Sequence, residues 1–181
     1  MPHSAVNVRE LKFGKSFDLV DTEHGGVTTL EDWEEFAFYM CSQFYEPIDS
    51  LTGNQVREAV LSWWYGSSGR IDDRRLTRTE FTAYYGNCTE AELSAVIHQY
   101  IDAVFALCDG DADGRLSRRE FAGVLRVHGV PEHELTQTIQ HMISDDSEIP
   151  KKKYTGLRKV TSTHSSTHCA NVHARSFAIK P

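Results

Sequence analysis

The chain has 181 residues, enough for one large domain or two small lobes that share a core, and 40% of them are hydrophobic, which predicts a packed globule. Its net charge of −7 is uneven: residues 151–181 hold seven Lys or Arg and no acidic residue, which leaves 12 basic against 26 acidic groups in residues 1–150. An acidic body argues against nucleic acid as the main partner and suits a divalent cation. The N-terminus lacks a signal-peptide pattern, no apolar run approaches the ~20 residues that span a bilayer, and the four cysteines are widely spaced, so we expect reduced thiols and a cytoplasmic protein.

The first predicted unit has two helices around a polar loop of twelve residues, 21–32. Apolar residues recur at helical spacing on both sides of this loop. Thr28, at the eighth loop position, is expected to weaken an apolar bridge to a paired loop. The apolar residues are Phe13, Phe17 and Val20 before the loop and Trp33, Phe36 and Ala37 after it.

This first loop predicts a weak site for Ca²⁺ or Mg²⁺. Gly25 at the fifth position has no side chain, so water would replace that ligand, whereas Gly26 permits the turn. Asp32 at the last position is one methylene shorter than glutamate, which favours the smaller Mg²⁺. The alternative is a structural loop without metal. The predicted ligands are Asp21, Glu23 and Asp32 through carboxylates, Val27 through its carbonyl and Thr29 through its hydroxyl.

The second unit keeps the apolar frame around a loop from 69 to 80 but lacks the ligands. Leu76 occupies the eighth position, where paired loops exchange backbone hydrogen bonds. Asp73 and Glu80 are the two plausible ligands, and three arginines crowd them with positive charge, so we expect no metal here. Gly69, Ile71 and Arg74 stand at the first, third and sixth positions, and the other arginines are Arg70 and Arg75.

The third unit carries a complete series of oxygen ligands in a loop from 109 to 120. Ca²⁺ takes about six to eight oxygens, and four acidic side chains supply most of them. Gly114 at the sixth position permits the sharp turn, and Leu116 at the eighth faces the core. The alternative is an acidic turn without metal, but clustered carboxylates repel one another without a cation. The predicted Ca²⁺ ligands are Asp109, Asp111 and Asp113 through carboxylates, Arg115 through its carbonyl, Ser117 directly or through water, and Glu120 through two oxygens.

The fourth unit is eroded. If Ile149 occupies the eighth loop position, Lys153 falls where an acidic ligand is required, so we expect no metal. The basic stretch 151–159 can contact anionic lipid, neutralise the acidic body or remain solvated, and the last two are favoured.

The segment after Val160 is polar and poor in aliphatic residues, so we expect order to about Val160 and mobility beyond it. His164 and His168 are four residues apart and next to Cys169, a spacing that can hold Zn²⁺ on a helix. A solvated tail is the favoured interpretation, because nothing upstream supplies the remaining ligands.

The motifs at 17–21, 30–33, 105–109 and 120–121 have the form that brackets an EF-hand loop. Together with the long gap between the first two units, they resemble the sarcoplasmic calcium-binding protein family, which includes the calexcitins and the luciferin-binding proteins. The resemblance covers residues 9–157. It implies an all-α fold with four EF-hand-like helix-loop-helix units, paired in two lobes within a compact globule. We expect an N-terminal pair at 1–90, a C-terminal pair at 91–160 and a basic Ser/Thr/His-rich tail at 161–181.

Two functions are compatible with this sequence. One is reversible Ca²⁺ binding as a cytosolic buffer, or as a sensor that exposes an apolar face to a partner helix. The other is a calcium-regulated carrier that holds a small apolar ligand in an aromatic core, although aromatic residues at helical spacing are more often plain core. No catalytic triad or phosphate-binding loop is evident, so we do not expect an enzyme. The aromatic residues concerned are Trp63, Trp64, Tyr65, Phe81, Tyr84 and Tyr85.

Overall fold

The computed structural model describes residues 8–69, 74–142, 148–151 and 154. This part of the chain is mainly helical, with four strands of two residues each. The first half contains α1 (Val8–Val20), β1 (Val27–Thr28), α2 (Leu30–Ser42), α3 (Leu51–Ser68), β2 (Leu76–Thr77) and α4 (Arg78–Asn87). The second half contains α5 (Glu90–Cys108), β3 (Arg115–Leu116), α6 (Arg118–Val127), α7 (Glu132–Met142) and β4 (Ile149–Pro150).

A short antiparallel strand pair connects loop one with loop two, and another connects loop three with the fourth unit, as the predicted four-unit fold requires. β1 pairs with β2, which places Thr28 opposite Leu76. β3 pairs with β4, which places Leu116 opposite Ile149. The bridge at Thr28 forms although this residue is polar, because the side chain is fully buried and its Oγ1 accepts a hydrogen bond of 3.1 Å from Nε1 of Trp33. The predicted pairing of the helix-loop-helix units in two lobes is therefore confirmed.

Helices α4, α5 and α6 begin with a reciprocal capping box closed by a glutamate, and α2 has the same motif closed by an aspartate. In α4, α5 and α6 a hydroxyl residue precedes the helix, and a glutamate three residues later bonds back to it. Each box satisfies backbone N–H groups that a helix start leaves without partners. The boxes are Thr77 with Glu80, Thr89 with Glu92 and Ser117 with Glu120.

Aromatic rings next to the loops form the centre of each lobe. Phe81, directly after loop two, is fully buried and lies 5.6 Å from the ring of Phe17 and 5.4 Å from that of Trp33. In the other lobe the ring of Phe105 lies 5.4 Å from that of Tyr154. These contacts explain why residues four before and one after a loop have to be large and apolar.

The two lobes pack on each other through α2, α3, α5 and α6. Tyr100 on α5 lies edge-on to Trp63 of α3, with ring centroids 6.4 Å apart. Its hydroxyl lies 3.1 Å from Nε2 of the buried His128, just after α6, and 3.7 Å from Sδ of Met40 on α2. The two lobes therefore form one compact globule.

Helix α5 is the one helix in the described ranges that is long and apolar enough to cross a membrane by length and composition. Its residues Ile101, Val104 and Phe105 are buried in the hydrophobic core. Burial of these residues accounts for part of the apolar character of α5.

Candidate metal centre

The backbone of loop three is held by its own carboxylates. Asp109 accepts hydrogen bonds from the N–H groups of Asp113 and Gly114, each at 3.1 Å. Asp113 in turn accepts from the N–H of Arg115 at 2.7 Å. Gly114 has a φ of 79° and Ala112 a φ of 57°, so the chain turns sharply at both residues. Glycine is favoured at 114 because a side chain strains this backbone region.

Three predicted ligands of loop three converge on one point. Asp109, Asp111 and Glu120 each offer a carboxylate oxygen, and these oxygens all lie within 4.8 Å of one another. Asp113 is not in this group and stays bonded to the loop backbone. The side chain of Arg115 points to Glu148 at 3.6 Å, which is compatible with a ligand role for its carbonyl alone.

Glu120 closes the loop from the first turn of α6. Its Oε1 accepts from the N–H of Gly110 at 3.0 Å, and its Oε2 accepts from the N–H of Ser117 at 2.8 Å and from the Ser117 hydroxyl at 2.7 Å. The glutamate side chain therefore reaches from the last loop position to the second. Ser117, a predicted ligand, acts here as the cap of α6.

The pKa values of Asp109 and Glu120 are shifted in opposite directions. Burial raises the pKa of Asp109, and the neighbouring carboxylates of Asp113 and Asp111 raise it further, against the lowering effect of its backbone hydrogen bonds. Burial also acts to raise the pKa of Glu120, but hydrogen bonds from Ser117 and Gly110 outweigh it, so this pKa lies below its ordinary value. Repulsion at Asp109 is the kind of strain that a bound cation relieves.

Loop one has the same backbone conformation as loop three. Its fourth and sixth residues, His24 and Gly26, have positive φ values of 54° and 72°. The buried carboxylate of Asp21 accepts from the N–H groups of Gly25 at 2.9 Å and Gly26 at 2.7 Å. This matches the bonding of Asp109 position by position, so the first half of loop one is built as a cation-binding loop is.

The remaining predicted ligands of loop one are not brought together. Asp32 bonds through Oδ2 to the N–H and hydroxyl of Thr29, at 2.6 and 2.8 Å. Glu23 is exposed and Val27 lies in β1. Within the described ranges, loop one holds no converging group of three His, Cys, Asp or Glu ligand atoms. The shorter aspartate caps its helix but, unlike Glu120, is not seen to reach across the loop.

Loop two contains a cation of its own. Arg74 donates from Nη2 to Oε1 of Glu80 at 3.0 Å and from Nη1 to the carbonyl of Ser68 at 3.2 Å. Hydrogen bonds from the Thr77 backbone and hydroxyl, together with Arg74, lower the pKa of Glu80 to about 2. The sequence predicted that arginines surround the acidic residues of loop two, but not the contacts of Arg74 with Glu80 and Ser68. The sequence feature that could have indicated them is an arginine at the sixth loop position, where loops one and three have glycine. Residues 70–73, which include Asp73, lie outside the described residues.

Residues of the fourth unit form backbone and side-chain contacts with loop three and with α5. The N–H of Lys151 donates to the carbonyl of Gly114 at 3.1 Å, and its Nζ lies 3.5 Å from Oδ1 of Asp102 and 5.6 Å from the Phe105 ring centroid. The predictions for Lys153, for order up to Val160 and for the histidines of the tail fall outside the described residues.

Comparison with known proteins identifies the fold. No protein-family model and no curated protein sequence matches the chain. Solved structures match along nearly its whole length. The Ca²⁺-regulated photoprotein mitrocomin from the jellyfish Mitrocoma cellularia is 15% identical with a TM-score of 0.73, over 99% of both chains.

Two further structures have the same architecture. The coelenterazine-binding protein of Renilla muelleri is 16% identical, covers 93% of this chain and 97% of its own, and has a TM-score of 0.62. A sarcoplasmic calcium-binding protein from amphioxus is 18% identical, covers 95% of this chain and 98% of its own, and has a TM-score of 0.59. The chain therefore has the four-hand EF-hand fold of these proteins, and the predicted resemblance is confirmed for the fold.

Proposed function

We propose that this protein binds Ca²⁺ reversibly in loop three and serves as a cytoplasmic calcium buffer or sensor rather than as an enzyme. The observation that carries the proposal is the convergence of the Asp109, Asp111 and Glu120 carboxylate oxygens within 4.8 Å of one another. Only oxygen ligands are offered, as a hard cation prefers. Buried or half-buried Cys41, Cys88 and Cys108 are free thiols, which suits a reducing compartment. The full proposed ligand set is Asp109, Asp111, Asp113, Arg115, Ser117 and Glu120.

Glutamine at 120 tests this site. Glu120→Gln removes one negative charge and one ligand oxygen, so we expect Ca²⁺ affinity to fall by more than the roughly 10- to 100-fold typical of changes outside the ligand sphere. Isothermal titration calorimetry measures the loss. Glu80→Gln is the matched control, because Glu80 holds the same position and capping box in loop two but faces Arg74. Wild-type affinity in Glu120→Gln would refute the assignment.

Loop one is proposed as a second, weaker and Mg²⁺-tolerant site, with Asp21, Glu23, Val27, Thr29 and Asp32 as ligands. Its support is the backbone match between Asp21 and Asp109. A Ca²⁺ titration at millimolar Mg²⁺ should lose this binding event before that of loop three. Two sites of equal affinity, both indifferent to Mg²⁺, would contradict it.

The two lobes are proposed to differ in Ca²⁺ affinity. Residues 1–90 form the EF-hand pair with the lower affinity, 91–160 form the pair that contains the main Ca²⁺ site, and 161–181 form a basic tail. A sensor has to present an apolar face to a partner helix on Ca²⁺ binding, whereas a buffer does not. Fluorescence of a dye that binds apolar surface, measured with and without Ca²⁺, separates these roles.

A calcium-regulated carrier of a small ligand is the second candidate. Trp64 and Ser68 lie one turn apart on α3, both fully buried, and neither Nε1 of Trp64 nor Oγ of Ser68 has a hydrogen-bond partner in the described part of the chain. Buried polar groups are nearly always paired, so these two atoms are candidates for a hydrogen bond to a polar atom of a ligand. Aromatic rings line the same lobe, with Trp63 and Tyr85 4.8 Å apart.

Native mass spectrometry of purified protein tests the carrier. A co-purified small molecule that is retained by wild type and lost from Trp64→Phe would support it. Retention of the molecule by Trp64→Phe, or its absence from wild type, would favour the buffer or sensor.

A further inference from the structure

A cleft of about 350 Å³ lies where α1, α2 and the end of α6 meet, next to the start and the end of loop one. One wall is helix α2. The other is formed by the end of α1 and by the end of α6, with Leu19 and Val127 as apolar contacts. None of the proposed ligands of loop three lines this cleft, and of those of loop one only Asp32 does.

The α2 wall combines acid and aromatic side chains. Asp32, Glu35, Phe36 and Tyr39 are spaced three, one and three residues apart, so they share one face of the helix. The core uses a different face of α2, because Trp33, Ala37 and Met40 are the buried residues. Tyr39 remains 44% exposed, so its ring is available to a ligand.

The charge of the cleft is negative. Its cation within the described residues is Arg126, whose guanidinium is bonded to Glu132 through Nε at 2.9 Å and Nη2 at 3.0 Å. Glu132 therefore neutralises Arg126. Glu35 has no ion-pair partner in the described ranges. The carboxylates of Asp32 and Glu35 thus leave a net negative charge beside two aromatic rings.

We propose that this cleft binds a small aryl-alkyl ammonium compound. The protonated amine pairs with Glu35, and the aryl group lies among Phe36, Tyr39 and the aliphatic wall. An aromatic ring beside a carboxylate favours a cation with an apolar body. The volume is at the lower end of the roughly 300–1,000 Å³ of ligand pockets, which suits a small molecule better than a peptide segment.

The probe is 2-phenylethylammonium chloride, titrated into ¹⁵N-labelled full-length protein and followed by two-dimensional NMR. We expect saturable shifts of amides next to the cleft, including those of Leu19, Tyr39 and Val127. The neutral isostere 2-phenylethanol should bind more weakly, because it cannot pair with Glu35.

Matched variants test which residues contact the ammonium group and which contact the aryl group of the ligand. Glu35→Gln should raise the dissociation constant by about threefold to fivefold, the size expected for a solvent-accessible ion pair. Glu31→Gln, on the same helix but outside the cleft, should leave it unchanged. Tyr39→Ala should weaken binding, whereas Tyr45→Ala, at a tyrosine that is 96% exposed and does not line the cleft, should not.

Equal binding of 2-phenylethanol and the ammonium compound would overturn the proposal, as would equal affinity of Glu35→Gln and Glu31→Gln. If a basic amphipathic peptide shifts the cleft amides while 2-phenylethylammonium does not, the occupant is a protein segment and the small-molecule assignment is wrong.

Discussion

Loops two and three cap their second helices in the same way, but the glutamate at the last loop position has a different second partner in each loop. In both, a glutamate at the last position bonds through one oxygen to its capping residue. The other oxygen of Glu120 accepts from the backbone of Gly110, next to two further carboxylates. The other oxygen of Glu80 accepts from Arg74, which also bonds to the carbonyl of Ser68 at the end of α3.

The comparison of the two loops shows that the apolar residues that fix the loop and its helices are independent of the acidic residues that would bind metal. Leu76 and Phe81 in loop two are as fully buried as Leu116 and Phe121 in loop three. The frame is therefore set by apolar packing and capping, which both loops have. The proposed metal site depends on converging acidic side chains, whereas in loop two the guanidinium of Arg74 lies against Glu80. Arg74 links the two ends of loop two, as a bound ion would link those of loop three.

The largest expected effect concerns the shared frame. Phe81→Ala and Phe121→Ala should each lower the free energy of unfolding by about 3–5 kcal/mol in the presence of a chelator, because both remove a fully buried ring. Urea unfolding followed by circular dichroism measures both. A much smaller cost for Phe121→Ala would show that metal, and not packing, assembles the frame of loop three.

A smaller effect is expected at the turn that distinguishes the loops. Gly114 has a φ of 79°, so Gly114→Ala should cost about 1 kcal/mol through backbone strain and should weaken Ca²⁺ binding as well. Thermal unfolding of the chelated protein and calorimetry measure the two losses.

Gly110→Ala is the control for this turn. A Cβ at 110 would lie 3.8 Å from Oε1 of Glu120, which is ordinary contact, and its φ is not positive. The stability change should therefore stay within about 0.5 kcal/mol. Equal costs at 110 and 114 would contradict the assignment of strain to the turn.

The sequence predicted the parts of this comparison that depend on residue type and local spacing. The converging carboxylates of Asp109, Asp111 and Glu120, the turn at Gly114 and the buried apolar residues of loop two are all visible in the chain order. The bridge made by Arg74 and the cap made by Asp32 were not predicted, because they depend on side-chain rotamers and on neighbours fixed by tertiary packing. The cleft beside α2 escaped prediction for the same reason, since its walls come from distant segments.

The smallest expected effect is a difference in pH dependence between the loops, measured without metal. The pKa of Glu80 is lowered to about 2 by hydrogen bonds from Thr77 and from Arg74. Its charged form therefore stabilises the fold above its ordinary pKa of 4.5, and this contribution is lost as pH falls toward 2. The pKa of Asp109 is raised instead, so its charged form costs stability once pH rises above its ordinary value of 3.8.

Two neutralising variants should therefore shift the melting temperature in opposite directions at pH 7 in chelator. Glu80→Gln should lower it, because the variant loses a favourable charge, and Asp109→Asn should raise it, because the variant loses burial cost and repulsion from Asp111 and Asp113. Both differences from wild type should shrink as pH falls through about 4, where carboxylates take up protons. Thermal scans by circular dichroism from pH 7 to pH 3 test the signs. A lower melting temperature for Asp109→Asn at pH 7 would show that the hydrogen bonds that Asp109 accepts from the N–H groups of Asp113 and Gly114 outweigh the repulsion. The apo form of loop three would then be stabilised by its own hydrogen bonds, as loop two is by Arg74.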